Sequence, residues 1–448
     1  MTSIRLENHV AAPLWTLRLG FLLLAFALVF RAGPAAAVDI REVTSPGGIT
    51  AWLVEDYSAP VITVAVAFQG GSSQDPQGRE GMAELISALF DEGAGPYDSK
   101  MFQARIAKLG IELGYRDSRD QFTGVLRTLK EDSADAFDMM RLTLTELHFE
   151  DNAVERMKNA IIAGIERKRN SPSARAGEVL RETLFGTHPY GRPGDGTVDS
   201  ISAITRGDLV AHFSRIFAKD NLKIGIVGAM SAEEAGAMLD KVFGNLPSTA
   251  RLDPVPDAKI AFGDTLSVEE DIPQSQIVFA YPGVKRENPE FFAAYIANHI
   301  LGGGTFSSRL YDEVREKRGL AYSVNSSLAT YDHAAFVSVS SATRSDRAAE
   351  TVELMRGEIE RFAMEGPTQA ELDAAKKYII GSYAINNLDT SAKIASTLLA
   401  MQTEKLGIDY IDRREELIGG VSLDEVRAIA KKLFSAKPTL IVVGPKSS

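Results

Sequence analysis

The apolar, β-branched stretch VITVAVAF at residues 61–68 decides the fold of this chain, because a similar stretch, SQIVFAY, recurs at residues 275–281. Residues of this kind favour β-strands. Each stretch is followed by a turn and by a segment of helical periodicity, at residues 81–90 and 290–301. The order of the elements is therefore the same in both halves of the chain.

The correspondence continues along both halves. A glycine-rich break is predicted at residues 93–95 and at 302–304, and alternating strands follow at 121–127 and 335–341. Self-similarity with a period of roughly 210 residues indicates a duplication. Because strands occur in twos and threes between helices, we predict an α+β fold of two similar domains. Each domain should be a mainly antiparallel sheet covered by helices.

Composition shifts give the domain boundaries. Residues 38–246 are predicted to form the N-terminal domain, and residues 265–448 the C-terminal domain. The segment between them, residues 247–264, contains several prolines and is predicted to be the linker and the start of the second domain.

Residues 1–37 are predicted to be a signal peptide. The run GFLLLAFALVF at residues 20–30 is apolar but shorter than the ~20 residues of a membrane-spanning helix. Ala35, Ala36 and Ala37 then provide an A-x-A cleavage site. We predict cleavage after Ala37, a periplasmic product and no stable membrane anchor. The alternative is an uncleaved anchor, since Arg31 directly follows the apolar run.

Charge and composition exclude several classes of partner and site. The chain has 49 Lys and Arg against 60 Asp and Glu, a net charge of −11, which argues against a nucleic-acid partner. It has no cysteine, which excludes thiol catalysis, disulfides and cysteine-ligated metals. No phosphate-binding or nucleophile-elbow motif is present, and the segment GRPGDG at residues 191–196 is interpreted as a surface loop.

Three motifs resemble the insulinase-like (M16) metallopeptidase family. They are GSSQD followed by GMAELISALFDEG within residues 71–93, FGTHPYGRP at 185–193, and LGGGTFSSRLYDEVREKRGLAYSV at 301–324. The resemblance extends over essentially all of residues 38–448. It implies two α+β domains that enclose, with a second similar chain, a chamber for unfolded peptides.

The family's zinc motif, H-x-x-E-H, is replaced in this chain. The resemblance places its histidines at Glu84 and Ala88, its general base at Ser87 and the distal glutamate ligand at Gly164. Ala88 and Gly164 offer no ligand atom, and serine is a poor zinc ligand. The resemblance therefore implies no cofactor and no catalytic residue in this chain, with zinc expected in a partner subunit.

The family's Arg–Tyr pair is retained as Arg315 and Tyr322, which lie seven residues apart. In active members such a pair holds substrate carbonyls and stabilises the oxyanion. The resemblance implies that Arg315 and Tyr322 bind substrate together with the backbone of Gly302, Gly303 and Gly304. The alternative is an arginine in a surface ion pair and a half-buried strand tyrosine.

The residues around this pair are basic although the chain is acidic. Arg309, Lys317 and Arg318 lie close to Arg315 in the sequence. This basic segment could favour peptide carboxylates.

Three functions fit these observations. The first is a zinc-less subunit of a two-chain periplasmic peptidase, a hetero-oligomer in which this chain supplies peptide binding and oxyanion stabilisation to a zinc-bearing partner. The second is a self-sufficient enzyme with an unrecognised site. The third is a stand-alone peptide-binding or chaperone-like protein. The retained Arg–Tyr spacing favours the first function.

We expect the mature protein to begin at Val38, because cleavage after Ala37 removes the whole apolar run. N-terminal sequencing of the protein recovered from the soluble cell-envelope fraction would check this. A chain that starts at Met1 and stays in the membrane fraction would instead support the anchor.

Overall fold

The strands build two main sheets, one in each half of the chain. The structure is a computed structural model and describes residues 38–446, so the predicted signal peptide at residues 1–37 lies outside the described residues. From Ile40 onward the chain forms a single compact unit.

The first sheet has six strands and a near-continuous buried centre. The strands of this half are β1 (Arg41–Thr44), β2 (Thr50–Glu55), β3 (Val61–Gln69), β4 (Gly93–Ala94), β5 (Tyr97–Asp98), β6 (Glu112–Asp117), β7 (Gln121–Leu129) and β8 (Leu222–Gly228). The sheet order is β1-β2-β8-β3-β7-β6, and β4 pairs separately with β5. Only β2 and β8 run parallel. Residues 62–68 of β3 are all buried, because β3 is a central strand with both faces covered.

The second sheet repeats this arrangement with five strands. These are β9 (Thr265–Glu269), β10 (Gln274–Pro282), β11 (Ala321–Tyr331), β12 (Ala334–Arg344) and β13 (Thr439–Gly444). Their order is β11-β12-β10-β13-β9, and only β13 and β9 run parallel.

The two sheets have equivalent strand orders, apart from the additional edge strand β1. The two predicted apolar stretches occupy equivalent places, because β3 lies between β7 and β8, and β10 lies between β12 and β13. In each sheet one of these neighbours belongs to a hairpin and the other comes from the end of the same half. The prediction of an α+β fold with two similar, mainly antiparallel sheets is confirmed.

Helices cover both sheets. They are α1 (Met82–Leu89), α2 (Ser99–Leu109), α3 (Ser133–Thr145), α4 (Asp151–Arg169), α5 (Pro172–Phe185), α6 (Val198–Ala203), α7 (Arg206–Ile216), α8 (Ala232–Phe243), α9 (Phe291–Asn298), α10 (Ala348–Glu365), α11 (Gln369–Gly381), α12 (Tyr383–Asn387), α13 (Ser391–Thr403), α14 (Tyr410–Gly419) and α15 (Leu423–Phe434). Between residues 38 and 446, no helix combines the length and the apolarity needed to cross a bilayer.

One helix of the first half packs on the sheet of the second half. Helix α5 contacts β10 and β13. Its residues Val179, Leu184 and Phe185 belong to a buried cluster with Phe336 and Ile441 of the second sheet. The interaction is therefore an apolar core shared between sequence-distant segments.

A helix of the second half packs in the equivalent way on the sheet of the first half. Helix α13 packs on β3 and β8 of the first sheet. The hydroxyl groups of Thr63 and Ser391 lie 2.9 Å apart, and the Gln402 side-chain amide donates to the carbonyl of Ile224 at 2.8 Å. Each half thus covers the other's sheet with one helix.

The tips of the two main hairpins meet at a buried tyrosine. The hydroxyl of Tyr190 donates to the carboxylate of Asp120, between β6 and β7, and accepts from the backbone N–H of His333, between β11 and β12. The same carboxylate accepts from the N–H of Asp332 at 3.2 Å. Burial raises the pKa of Tyr190, so its phenol stays protonated as a donor.

The glycine-rich break predicted at residues 302–304 does not end the preceding helix, α9, where we expected. Helix α9 continues directly into a π-helical turn at His299–Gly303, and a second π-helical turn covers Tyr311–Glu316. The prediction of a break at residues 302–304 is therefore wrong for its first two glycines. Gly302 allows this because its α-carbon packs against β11, where a Cβ would lie 2.8 Å from the backbone nitrogen of Ser326.

The contact between α13 and the first sheet should depend on Gly225 of β8. A Cβ at this position would lie 2.8 Å from the carbonyl oxygen of Ala395 and 3.0 Å from the Cβ of Leu398. We expect Gly225→Ala to lower the free energy of unfolding by about 1–3 kcal/mol, because overpacking forces the helix off the sheet. Urea unfolding of the purified variant measures this change.

Gly177→Ala is the matched control. Gly177 lies inside α5 with no atom within 4 Å of an added Cβ. This exchange should raise stability by about 0.5–1 kcal/mol, since alanine favours the helix. Equal stability of Gly225→Ala and the unmodified protein would contradict the tight seating of α13 on β8.

Candidate functional site

Helix α1 carries three of the four predicted zinc and base positions on one face. Glu84, Ser87 and Ala88 are spaced i, i+3 and i+4, and all three are half-buried, whereas Leu85 and Ile86 are fully buried. Helix α1 packs against β6 and against α4, the helix that contains Gly164. The fold therefore brings together the elements that carry all four positions.

The N-terminus of α1 is fixed by a buried carboxylate. Asp75 accepts hydrogen bonds from the backbone N–H groups of Gly81, Met82 and Ala83, at 2.9, 3.2 and 3.0 Å. Gly81 has a φ of 87°, a conformation that glycine adopts without strain. Burial raises the pKa of Asp75, and the N–H donors oppose this rise. The cap positions the helix independently of any metal.

Residues 191–196 support the same helix end, which corrects their interpretation as a surface loop. Arg192 donates to the backbone carbonyls of Asp75 and Ser73, at 2.5 and 3.0 Å. Gly196 is buried, and a Cβ there would lie 2.4 Å from the carbonyl oxygen of Glu80. The glycines serve close packing against the start of α1, which the sequence pattern alone did not reveal.

Glu84, at one of the zinc-ligand positions, forms a pair of carboxyl groups with a residue of another element. Asp117, at the end of β6, lies beside Glu84. Burial and the negative charge of Glu84 raise the pKa of Asp117 well above its usual range. Asp117 was not predicted, because it is 33 positions from Glu84 and no local motif links the two.

These residues do not fit zinc. Ala88 and Gly164 have no donor atom, and a carboxyl pair alone provides neither the histidine pair nor the base that the reaction requires. Within residues 38–446, no cluster of three or more His, Cys, Asp or Glu side chains is arranged for a metal ion. The chain has no catalytic zinc site of the H-x-x-E-H type.

A cavity of about 750 Å³ opens beside this carboxyl pair. Its walls come from α1, the end of α4, the start of α5 and the segment after Arg192. Its charges are mixed, because Lys168 pairs with Asp195 and Arg175 pairs with Glu178 at 2.6 Å. The cavity thus lies against the face of α1 that carries Glu84.

The predicted Arg–Tyr pair is in direct contact. The guanidinium of Arg315 lies 4.7 Å from the ring centre of Tyr322 and 4.8 Å from that of Tyr311. Arg315 also has an ion pair with Glu316, with a nitrogen–oxygen distance of 3.9 Å. The guanidinium is therefore held by cation–π contact with two rings and by one ion pair.

Tyr322 is 82% exposed, not half-buried as the alternative interpretation expected. It lies at the start of β11, where the pairing with β12 shifts between Ala321 and Val324. Such bulges redirect side chains and are common beside functional sites. The π-helical turn that carries Arg315 is a second irregularity of this kind.

Most of the basic residues near Arg315 are neutralised, which corrects the expectation of a basic peptide-binding segment. Arg309 forms a bidentate pair with Glu371 at 2.6 and 2.8 Å, and this contact helps to lower the pKa of that half-buried carboxyl to about 2. Lys317 and Arg318 both pair with Glu313. Of these four basic residues, Arg315 has the weakest ion pair.

The predicted glycine residues differ in accessibility. Gly302 is buried against β11, Gly304 is half-buried beside His299, and Gly303 is exposed. Their role in substrate binding stays a prediction. The exposed aromatic residue that follows them, Phe306, was not predicted, because a single phenylalanine in a loop gives no periodic signal.

Comparison with known families identifies two matches along the chain. The profile of the insulinase family, peptidase family M16, matches residues 51–197. The profile described as the peptidase M16 inactive domain matches residues 203–379.

Individual relatives and a solved structure agree with these matches. An uncharacterised zinc protease of Streptomyces coelicolor is 26% identical over 91% of this chain and 90% of its own length. The non-peptidase homologue YmxG of Helicobacter pylori is 26% identical over 84% of this chain and 87% of its own. The crystal structure of a peptidase M16 inactive domain from Pseudomonas fluorescens, 28% identical, superposes with a TM-score of 0.86 over 92% of this chain and 98% of its own.

We expect the purified chain to contain well under one zinc per molecule and to show no chelator-sensitive proteolysis. The reason is that Ser87, Ala88 and Gly164 offer no ligand that replaces histidine or glutamate. Elemental analysis of the folded protein measures the zinc content.

Glu84→His tests the same assignment by adding one histidine to α1. One histidine on α1 still has no second histidine at Ala88, so the zinc content should stay low. Stoichiometric zinc in the unmodified, folded chain would refute the assignment of these four positions.

Proposed function

This chain belongs to the insulinase-like M16 peptidase family, and we propose that it is a zinc-less subunit that binds peptides for a zinc-bearing partner chain. The two chains together would form a hetero-oligomeric metalloendopeptidase. This chain would contribute peptide binding and stabilisation of the oxyanion. The cut itself would be made at the partner's zinc.

The observation that carries the proposal is the contact between half-buried Arg315 and exposed Tyr322 in a chain that lacks the H-x-x-E-H motif. Arg309 is held by a short, bidentate pair with Glu371, whereas the single ion pair of Arg315 with Glu316 spans 3.9 Å. A tyrosine that is 82% exposed contributes little to the core. Both side chains therefore have donor groups available to a ligand.

The chemistry divides between the two chains. The partner's zinc would supply the activated water and polarise the carbonyl. The guanidinium of Arg315 and the phenol of Tyr322 would donate hydrogen bonds to the carbonyl oxygen under attack, or to a neighbouring one. Stacking between Tyr311 and Tyr322 holds the guanidinium in place before substrate binds, which lowers the entropy cost of that contact.

The proposed setting is the periplasm, with unfolded peptides as substrates. Support comes from the predicted leader and from the absence of cysteine, which makes folding independent of oxidation. The partner would be a similar exported chain with an intact H-x-x-E-H motif. A stand-alone peptide-binding protein is the alternative, and the experiment below separates the two functions.

Arg315→Ala and Tyr322→Phe should each lower kcat of the assembled pair by roughly 10²–10³, because both remove a donor that acts on the transition state. Arg315→Lys should restore little activity, since an ammonium does not reproduce the planar, stacked guanidinium. The measurement is chelator-sensitive cleavage of a quenched fluorescent peptide by the co-purified chains.

Arg318→Ala is the matched control, because this neighbouring arginine already pairs with Glu313. It should keep near-normal activity, and gel filtration should show intact assembly for every variant. Full activity of both Arg315→Ala and Tyr322→Phe would show that the pair has only a structural role. Peptide binding without any cleaving partner would then favour the stand-alone function.

A further inference from the structure

The loop after the glycine run contains a residue in an unusual backbone conformation. Thr305 has a φ of 50°, and among residues 38–446 the only other non-glycine residue with positive φ is Lys405. A β-branched residue rarely adopts this conformation. Such outliers persist where the surroundings enforce them, and they cluster at ligand-binding sites.

Hydrogen bonds on both sides hold this conformation. The N–H of Gly304 donates to the carbonyl of His299 at 2.8 Å. The buried Ser308 donates twice to the carbonyl of Thr305, from its N–H at 3.2 Å and from its hydroxyl at 2.9 Å. The turn is therefore rigidly constructed, and it directs the next residue, Phe306, outward.

Phe306 is 74% exposed, although it is apolar and adjoins a buried segment. Its ring contacts the ring of Tyr311 edge-on, with the centres 5.2 Å apart. Tyr311 in turn stacks on Arg315, and Arg315 stacks on Tyr322. The exposed phenylalanine is thus connected, through one ring, to the proposed carbonyl-binding pair.

A second aromatic contact lies on the other side of the glycine run. His299 stacks on Tyr378 with ring centres 5.3 Å apart, and Tyr378 is 60% exposed. Burial lowers the pKa of His299, so its ring is uncharged near neutral pH. The glycine run is thus preceded and followed in the sequence by residues with aromatic contacts, and Gly304 lies beside the ring of His299.

We propose that Phe306 is a specificity-determining residue that contacts a large apolar side chain of the bound peptide. This inference rests on the proposed function, in which Arg315 and Tyr322 hold a peptide carbonyl. The guanidinium of Arg315 is 4.8 Å from the ring centre of Tyr311, which is 5.2 Å from that of Phe306. An extended peptide rises about 3.3 Å per residue, so a side chain up to three positions from the held carbonyl can contact Phe306. The chain should accordingly select unfolded peptides with an aromatic or large aliphatic residue there.

The test uses two fluorescein-labelled peptides that are identical except for one central residue, Phe or Ser. Fluorescence anisotropy with the mature chain measures both affinities. We expect the Phe peptide to bind about tenfold more tightly, from burial of the aromatic side chain. Phe306→Ala should abolish this preference, and Phe306→Leu should retain most of it.

Met364→Ala is the control for loss of an exposed apolar side chain. Met364 is 76% exposed and lies beside a different cavity, lined by Tyr281 and Phe434. This variant should keep the full preference. Circular dichroism should show the same folded content for all variants.

The outcomes separate this inference from the proposed function. If Arg315→Ala weakens both peptides but Phe306→Ala leaves the preference intact, the specificity role is wrong and the function stands. If Arg315→Ala weakens neither peptide, or if the unmodified chain binds neither, both are wrong. If Phe306→Ala disrupts assembly with the partner chain without changing the preference, Phe306 covers a subunit interface and the inference is overturned.

Discussion

The fold depends on the reciprocal exchange of two helices between the halves. Helix α5 covers β10 and β13, and helix α13 covers β3 and β8. A strand such as β3 is apolar on both faces, so neither sheet can be stable in water without a covering layer. Because each of these layers comes from the other half, the halves share a buried cluster in addition to the separate core of each half. This explains why residues 40–446 behave as one compact unit although the sequence is a duplication.

The exchange also sets where the functional elements lie. With the sheets coupled through helices, the hairpin tips meet at Tyr190 and its hydrogen bonds to Asp120 and His333. The segment that contains Tyr190 continues to Arg192, which supports the start of α1. The same segment thus connects the junction between the halves to the degenerate zinc face. A rigid core of this kind can hold a binding surface in a fixed geometry, as pre-organised sites require.

The face of α1 that carries the zinc-ligand positions and the surface around Arg315 and Tyr322 are built on different elements. Around α1, the buried cap at Asp75, the contacts of Arg192 and the adjoining cavity are all present, whereas the ligand positions carry Glu84, Ser87 and Ala88. The cap satisfies the N–H groups of the helix and does not require a metal. Loss of the ligands therefore leaves the helix in place. On the second half, the irregular turns that display Tyr322 and Phe306 cost conformational free energy, and binding of a ligand would account for their presence.

The sequence by itself determined the duplication, the order of strands and helices, and the replacement of the H-x-x-E-H motif. These follow from local apolar periodicity and from residue identity, and both are independent of distant contacts. Tertiary structure alone decided which sheet α5 and α13 cover, that Asp117 lies beside Glu84, and that Arg309, Lys317 and Arg318 are paired with carboxylates. It also decided that the glycines at residues 191–196 are packed and that Tyr322 points outward at a bulge. The physical reason is that a pattern specifies which face of an element is apolar, but not which distant surface covers that face or which charge lies opposite.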